Sequence, residues 1–86
     1  MARFSLEFSR TAKKQLLDQP PVVQARLLRS IDELTREPRP RGCRKLHGST
    51  DTYRIRVGYY RVVYQIEDAR LVVLVVKLGH RKDIYR

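Results

Sequence analysis

The run Tyr53-Arg54-Ile55-Arg56-Val57-Gly58-Tyr59-Tyr60-Arg61-Val62-Val63-Tyr64 decides how this chain folds. Its β-branched and aromatic residues suit strands, and the only break is the pair Gly58-Tyr59. A two-residue loop of this kind is a hairpin turn of type II′, in which glycine supplies the positive φ angle of the first central position. The register follows: Val57 pairs with Tyr60, Arg56 lies opposite Arg61, and Arg54 faces Val63. Because successive side chains in a strand point to opposite faces, Arg54, Arg56 and Arg61 are predicted to project from one side of the hairpin.

Working outward, Leu71 to Leu78 forms a third strand after a break at Asp68-Ala69, completing an antiparallel meander. Its core, Leu71-Val72-Val73-Leu74-Val75-Val76, is apolar on both faces and belongs inside a sheet. Upstream, residues 37–48 mix Pro38, Pro40, Gly42 and Gly48 with Arg39, Arg41, Arg44, Lys45 and His47, which reads as a basic connector. At the N-terminus Phe4, Leu6 and Phe8 alternate with polar residues as one face of a short strand. Ser9 reads as the cap of a helix through Ala12, Leu16 and Leu17, with Lys13 and Lys14 outward, that ends before Pro20. Pro21 suits the first turn of a second helix, whose Val23, Leu27, Ile31 and Leu34 fall on one side, in antiparallel contact with the first. The expected fold class is α+β: an N-terminal strand, a two-helix hairpin and the meander, with the helices on one face of a four-stranded, mostly antiparallel sheet. The first strand is expected to pair with the buried last one, because alone it would leave its backbone groups unsatisfied. Residues 1–86 are read as a single domain, and the uncovered sheet face is where function is expected.

Nineteen Lys and Arg against nine Asp and Glu give a formal charge of +10. Such an excess opposes compaction and attracts a polyanion. Cys43 is the only cysteine, so no disulfide framework is possible. The opening residues lack the apolar stretch of a signal peptide, and no run approaches membrane-spanning length. A cytoplasmic setting with no membrane partner is therefore expected. Two separated histidines and one cysteine make no recognised metal-ligand set, and no phosphate-cradling glycine loop, triad motif or carboxylate pair is present, so no metal or cofactor is expected.

Like charges directly opposite one another destabilise a sheet, so the Arg56–Arg61 pair makes physical sense as a phosphate grip. Nearby carboxylates are few, since Asp51, Glu67 and Asp68 fall at strand ends. The tail Gly79-His80-Arg81-Lys82-Asp83-Ile84-Tyr85-Arg86 adds cations, an imidazole and a phenol, and Tyr85 could stack on an unpaired base. Tyr53, Tyr59, Tyr60 and Tyr64 read as packing or interfacial side chains. Further cations expected along an RNA path are Arg44, Lys45, Lys77, Lys82 and Arg86.

Lys45-Leu46-His47-Gly48, the hairpin from Tyr53 to Tyr64, and Gly79 to Tyr85 occur in an order and spacing that resembles the RelE toxins of the RelE/ParE superfamily. The resemblance covers nearly the whole chain. It implies a RelE-like, microbial ribonuclease-type fold and a toxin that cleaves mRNA in the ribosomal A site. It also implies an acidic, partly disordered RelB-like antitoxin, through which alone operator DNA is bound. Arg61 and Arg81 match basic residues that stabilise the reacting phosphate, and Tyr85 matches a C-terminal tyrosine that positions the nucleotide. Arg54 and Arg56 stand where family members carry two lysines, one of them proposed as the general base. Arginine is a poor proton acceptor, which makes His80 the first candidate for that role, with Tyr85 or a ribosomal group next. Two other functions remain open on the residues: a ParE-like toxin that inhibits DNA gyrase without cutting RNA, and a non-catalytic RNA- or ribosome-binding module.

Overall fold

The computed structural model describes residues 3–84 and the side chains of residues 3–82. The elements in chain order are β1 (Ser5–Phe8), α1 (Arg10–Leu17), α2 (Pro21–Leu34), β2 (Arg44–Lys45), β3 (Thr52–Val57), β4 (Tyr60–Glu67), β5 (Val72–His80) and α3 (Arg81–Ile84). The sheet order is β1-β5-β4-β3-β2, so β5 does lie inside the sheet. Strand β1 runs parallel to β5, and every other pairing is antiparallel.

The α+β class agrees with the sequence expectation, but the sheet has five strands instead of four. The extra one, β2, is two residues long and sits in the connector between Gly42 and Gly48. A two-residue strand has no period to detect; it exists because Arg44 and Lys45 meet Arg54 and Tyr53, and the Leu46 N–H reaches the Thr52 carbonyl at 2.9 Å. The single turn of α3 was likewise not anticipated.

Local chemistry accounts for the helices. Ser9 is extended (φ −67°, ψ 162°) and its hydroxyl accepts the Ala12 N–H at 3.0 Å, capping α1. Pro21 opens α2, where a missing N–H costs nothing. Ala12 and Leu16 of α1, and Leu27, Ile31 and Leu34 of α2, lie in the core against Ile55, Val57, Val62, Tyr64, Ile66, Val73, Val75 and Leu78. Each fully buried Leu, Ile or Val contributes about 1.5–3 kcal/mol, so this layer supplies most of the favourable term.

The register of β5 slips by one residue between Val63 and Tyr64, leaving Val76 without a partner on β4. Helix α1 and its cap cover the irregularity: the Ser9 hydroxyl donates to the Val76 carbonyl at 2.5 Å and Gln15 Oε1 accepts the Leu78 N–H at 2.8 Å. Backbone groups of β5 beyond the end of β1 are thereby satisfied.

The connector is pinned from two sides. Tyr64, fully buried, donates its phenol to the Pro38 carbonyl at 2.7 Å, and burial, with Cys43 nearby, pushes that phenol above its ordinary pKa. Arg39 reaches both carboxylate oxygens of Asp68, at 2.8 and 3.2 Å, and the Tyr53 hydroxyl at 3.2 Å. The same fork holds the Asp68 carboxyl below the usual range. Replacing Tyr64 by Phe leaves the buried Pro38 carbonyl unpaired and is expected to lower stability by about 1–3 kcal/mol in urea denaturation. An unchanged midpoint would show that the connector is not held through this bond.

Candidate nucleic-acid interface

The β3–β4 hairpin has the register read from the sequence: Val57 opposite Tyr60, Arg56 opposite Arg61 and Arg54 opposite Val63. Gly58 has φ +62° and starts the turn. A side chain here would be strained, and a Cβ would also meet the Arg26 guanidinium of α2 at 3.0 Å.

Pairing registers extend this geometry across the sheet. On one rung stand Arg44 of β2, Arg54 of β3, Val63 of β4 and Lys77 of β5. Two residues nearer the turn stand Arg56, Arg61 and Gly79. Tyr53, Ile55, Val57, Tyr60, Val62 and Tyr64 point the other way, against the helices. Five cations therefore share the face the helices leave bare, on strands about 4.8 Å apart. Val63 lies among them and is only 4% exposed. Its partners on the two neighbouring strands are Arg54 and Lys77, both half-buried.

Ion pairs between other described side chains lie around this face. Among the described residues, Asp32 pairs with Arg3 and Arg36, Asp68 with Arg39, and Glu67 and Glu7 with Arg70 at the far end of the sheet. None of these pairs involves Arg44, Arg54, Arg56 or Lys77. A shallow groove of about 480 Å³ runs beside the patch, between α2 and the open edge of β3. Leu34, Pro40 and Ile55 line it together with Arg41, Arg44, Arg56 and one carboxylate, Glu33.

The remaining expected residues separate. Arg81 follows β5 and joins the turn: its N–H donates to the Tyr59 carbonyl at 2.8 Å and its guanidinium lies 5.7 Å from the Tyr59 ring centre. His80 pairs with Tyr60, whose side chain packs toward the helices, so the register puts it on the side away from Arg54, Arg56 and Arg61. Its ring stands edge-on to Tyr60 at 5.7 Å and stacked with Tyr59 at 6.2 Å, and Nδ1 accepts the Lys82 N–H at 3.3 Å. Lys45 pairs with Tyr53 and shares its side, unlike its neighbour Arg44. Lys82 is exposed on α3. Tyr85 and Arg86 lie outside the described residues. Sequence reasoning did not single out Arg26 or Arg41; neither follows a motif, and both come near the site only through the placement of α2 and the connector.

A sheet with helices on one face and an array of cations on the other presents a surface of the kind that attracts a polyanion. Comparison with known proteins sharpens this. The sequence model for the ParE toxin of type II toxin–antitoxin systems (parDE) matches residues 6–85. The chain is 32% identical to toxin RelG of Mycobacterium tuberculosis, across 96% of this chain and 97% of that protein. It is 34% identical to the mRNA interferase toxin RelE of Escherichia coli, across 95% and 86%. Among solved structures, the toxin–antitoxin complex RelBE2 of M. tuberculosis superposes with a TM-score of 0.82 at 30% identity, covering 92% of this chain and 99% of that one. The chain belongs to the RelE/ParE family of toxins of type II toxin–antitoxin systems.

Repulsion across the Arg56–Arg61 pair yields a direct test. At low ionic strength Arg56→Thr is expected to raise the thermal unfolding midpoint, because about 0.2–1 kcal/mol of cross-strand repulsion is relieved. With inorganic polyphosphate in excess the order should reverse, since the native chain gains more binding free energy than the variant. The same ranking under both conditions would remove the pair as an anion grip.

Proposed function

We propose that this chain is the toxin of a type II module and acts as a ribosome-dependent, metal-independent endoribonuclease that cuts mRNA in the A site. The observation that carries the reading is the two-rung cation array on the bare sheet face, in a chain 34% identical to an mRNA interferase. In the reaction, the ribose 2′-oxygen attacks the adjacent phosphorus in line as its proton passes to a base. The P–O5′ bond breaks, the leaving oxygen takes up a proton, and a 2′,3′-cyclic phosphate remains. Arg54, Arg56, Arg61 and Arg81 would neutralise the charge that builds on the phosphoryl oxygens, a task suited to planar guanidiniums that stay charged at every working pH.

The base is a separate matter. Arginine cannot readily accept the 2′-hydroxyl proton, and the register of His80 favours a positioning role at Tyr59 over proton abstraction among the arginines. Tyr85 or a ribosomal group then takes the role. Lys77 and Arg44 extend the array along the strand of RNA, with Lys45, Lys82 and Arg86 as outer contacts.

A RelB-like antitoxin is the proposed partner, since RelB–RelE complexes of M. tuberculosis, E. coli and Pyrococcus horikoshii superpose on this chain with TM-scores of 0.80–0.82. An acidic, partly disordered segment would bind the basic surface, and operator DNA would be reached only through it. The proposed setting is the cytoplasm, where ribosomes are. Among the described residues no helix is long and apolar enough to cross a membrane.

Because the matched family model is that of ParE, inhibition of DNA gyrase is the second reading. Induction followed by primer-extension mapping of mRNA, with a DNA-damage reporter in the same cells, separates the two. Breaks within codons in the A site are expected, and a damage response without breaks would replace the nuclease reading. Arg61→Ala and Arg81→Ala should each lower single-turnover cleavage on programmed ribosomes by about 10²–10³-fold while leaving antitoxin binding measurable. Growth arrest retained in both variants would refute their assignment.

A further inference from the structure

Tyr59 is the one described tyrosine whose position has no packing explanation. Tyr64 is buried, Tyr53 and Tyr60 pack against the core, and Tyr59 is 68% exposed at the tip of the hairpin. The sequence reading grouped it with the packing tyrosines; the structure separates it from them. Nothing in the turn calls for an aromatic ring, since two-residue hairpin loops favour Asn, Gly, Asp and Ser. A large exposed ring there adds little to stability, yet two side chains lie against it and a backbone bond ties its residue to the start of α3. The ring stacks with His80 at 6.2 Å and 24°, the Arg81 guanidinium lies 5.7 Å from its centre, and its carbonyl holds the Arg81 N–H at 2.8 Å. His80 is fixed in turn by the edge of Tyr60 and by the Lys82 N–H.

We propose that Tyr59 is a stacking platform for an unpaired base of the bound RNA strand, with His80 and Arg81 holding the ring in place. The proposal rests on the RNA reading above and adds a binding residue to it. Tyr59 lies in the turn that joins β3 to β4, two residues from Arg61 along the chain, so an RNA strand whose phosphate meets the Arg56–Arg61 pair can carry the adjoining base over the hairpin tip to the ring. Stacking on an aromatic ring is how single-stranded nucleic acid is gripped without reading its sequence, and a ring already oriented loses less freedom on binding. The surroundings of the ring are cationic: Arg81 and Lys82 follow His80, and the Arg26 guanidinium lies against Gly58. A ring framed by cations suits a base with phosphates on either side.

The test uses the full chain and a short unstructured oligoribonucleotide carrying a single 2-aminopurine, whose fluorescence falls on stacking. Expected results are quenching by the native chain, about tenfold weaker binding and lost quenching for Tyr59→Ser, and retention of both by Tyr59→Phe. Arg61→Ala is measured alongside. If Arg61→Ala weakens binding while Tyr59→Ser binds and quenches like the native chain, the platform is overturned and the RNA reading stands. If the native chain does not bind the oligomer, or binds it no better than Arg61→Ala does, both are overturned. Native RNA binding by a Tyr59→Ser chain that has lost antitoxin affinity would give the ring to the antitoxin interface and overturn the platform as well. Unchanged unfolding midpoints confirm that each variant is folded.

Discussion

Gly58 occupies a backbone conformation that other residues rarely adopt, and the β3–β4 ladder is keyed to it. In a hairpin the turn sets the register, and a slip of one residue exchanges the two faces of a strand. With the turn at Gly58-Tyr59, Ile55, Val57, Val62 and Tyr64 enter the core while Arg54, Arg56 and Arg61 leave it. Core and cation array are thus two consequences of one turn. A change that moved the guanidiniums would also bring arginines under the helices, where burying an unpaired charge is costly.

The array shows how a small domain can combine stability with a strained functional surface. Apolar burial is confined to the helix-facing side, and the β5 bulge is repaired by Ser9 and Gln15. Among the described residues, Asp32, Asp68, Glu67 and Glu7 are engaged with Arg3, Arg36, Arg39 and Arg70 around the rim, and Glu33 lines the groove beside Arg44 and Arg56. Arg56 and Arg61 stand directly opposite one another on the bare face, where an anion can bridge them. In the proposed nuclease, arginine at positions 54 and 56 would favour charge stabilisation over proton transfer, and the base would come from another source.

Much of this was legible in the residues. The alternation around Gly58, the serine cap, Pro21 and the apolar spacing of α2 are local patterns with local causes, and each appears in the structure as read. Strand β2 was not legible, because two basic residues between glycines carry no periodic signal and become a strand only when β3 is beside them. The placement of His80 was not legible either. Its distance in sequence from Arg81 is one residue, but the ladder that pairs it with Tyr60 turns it toward the tyrosines.

By itself the sequence determined the class of fold, the direction of every arginine in the hairpin and the strongly positive charge, since these depend on turn chemistry, period and composition, all of which act over a few residues or over the whole chain at once. The tertiary structure decided which distant cations join that row. Arg44 and Lys77 reach it through pairings between strands far apart in the chain, and Tyr59 is held at the tip by residues that β5 delivers there. Such groupings depend on register between strands, which no local pattern encodes until the sheet has assembled.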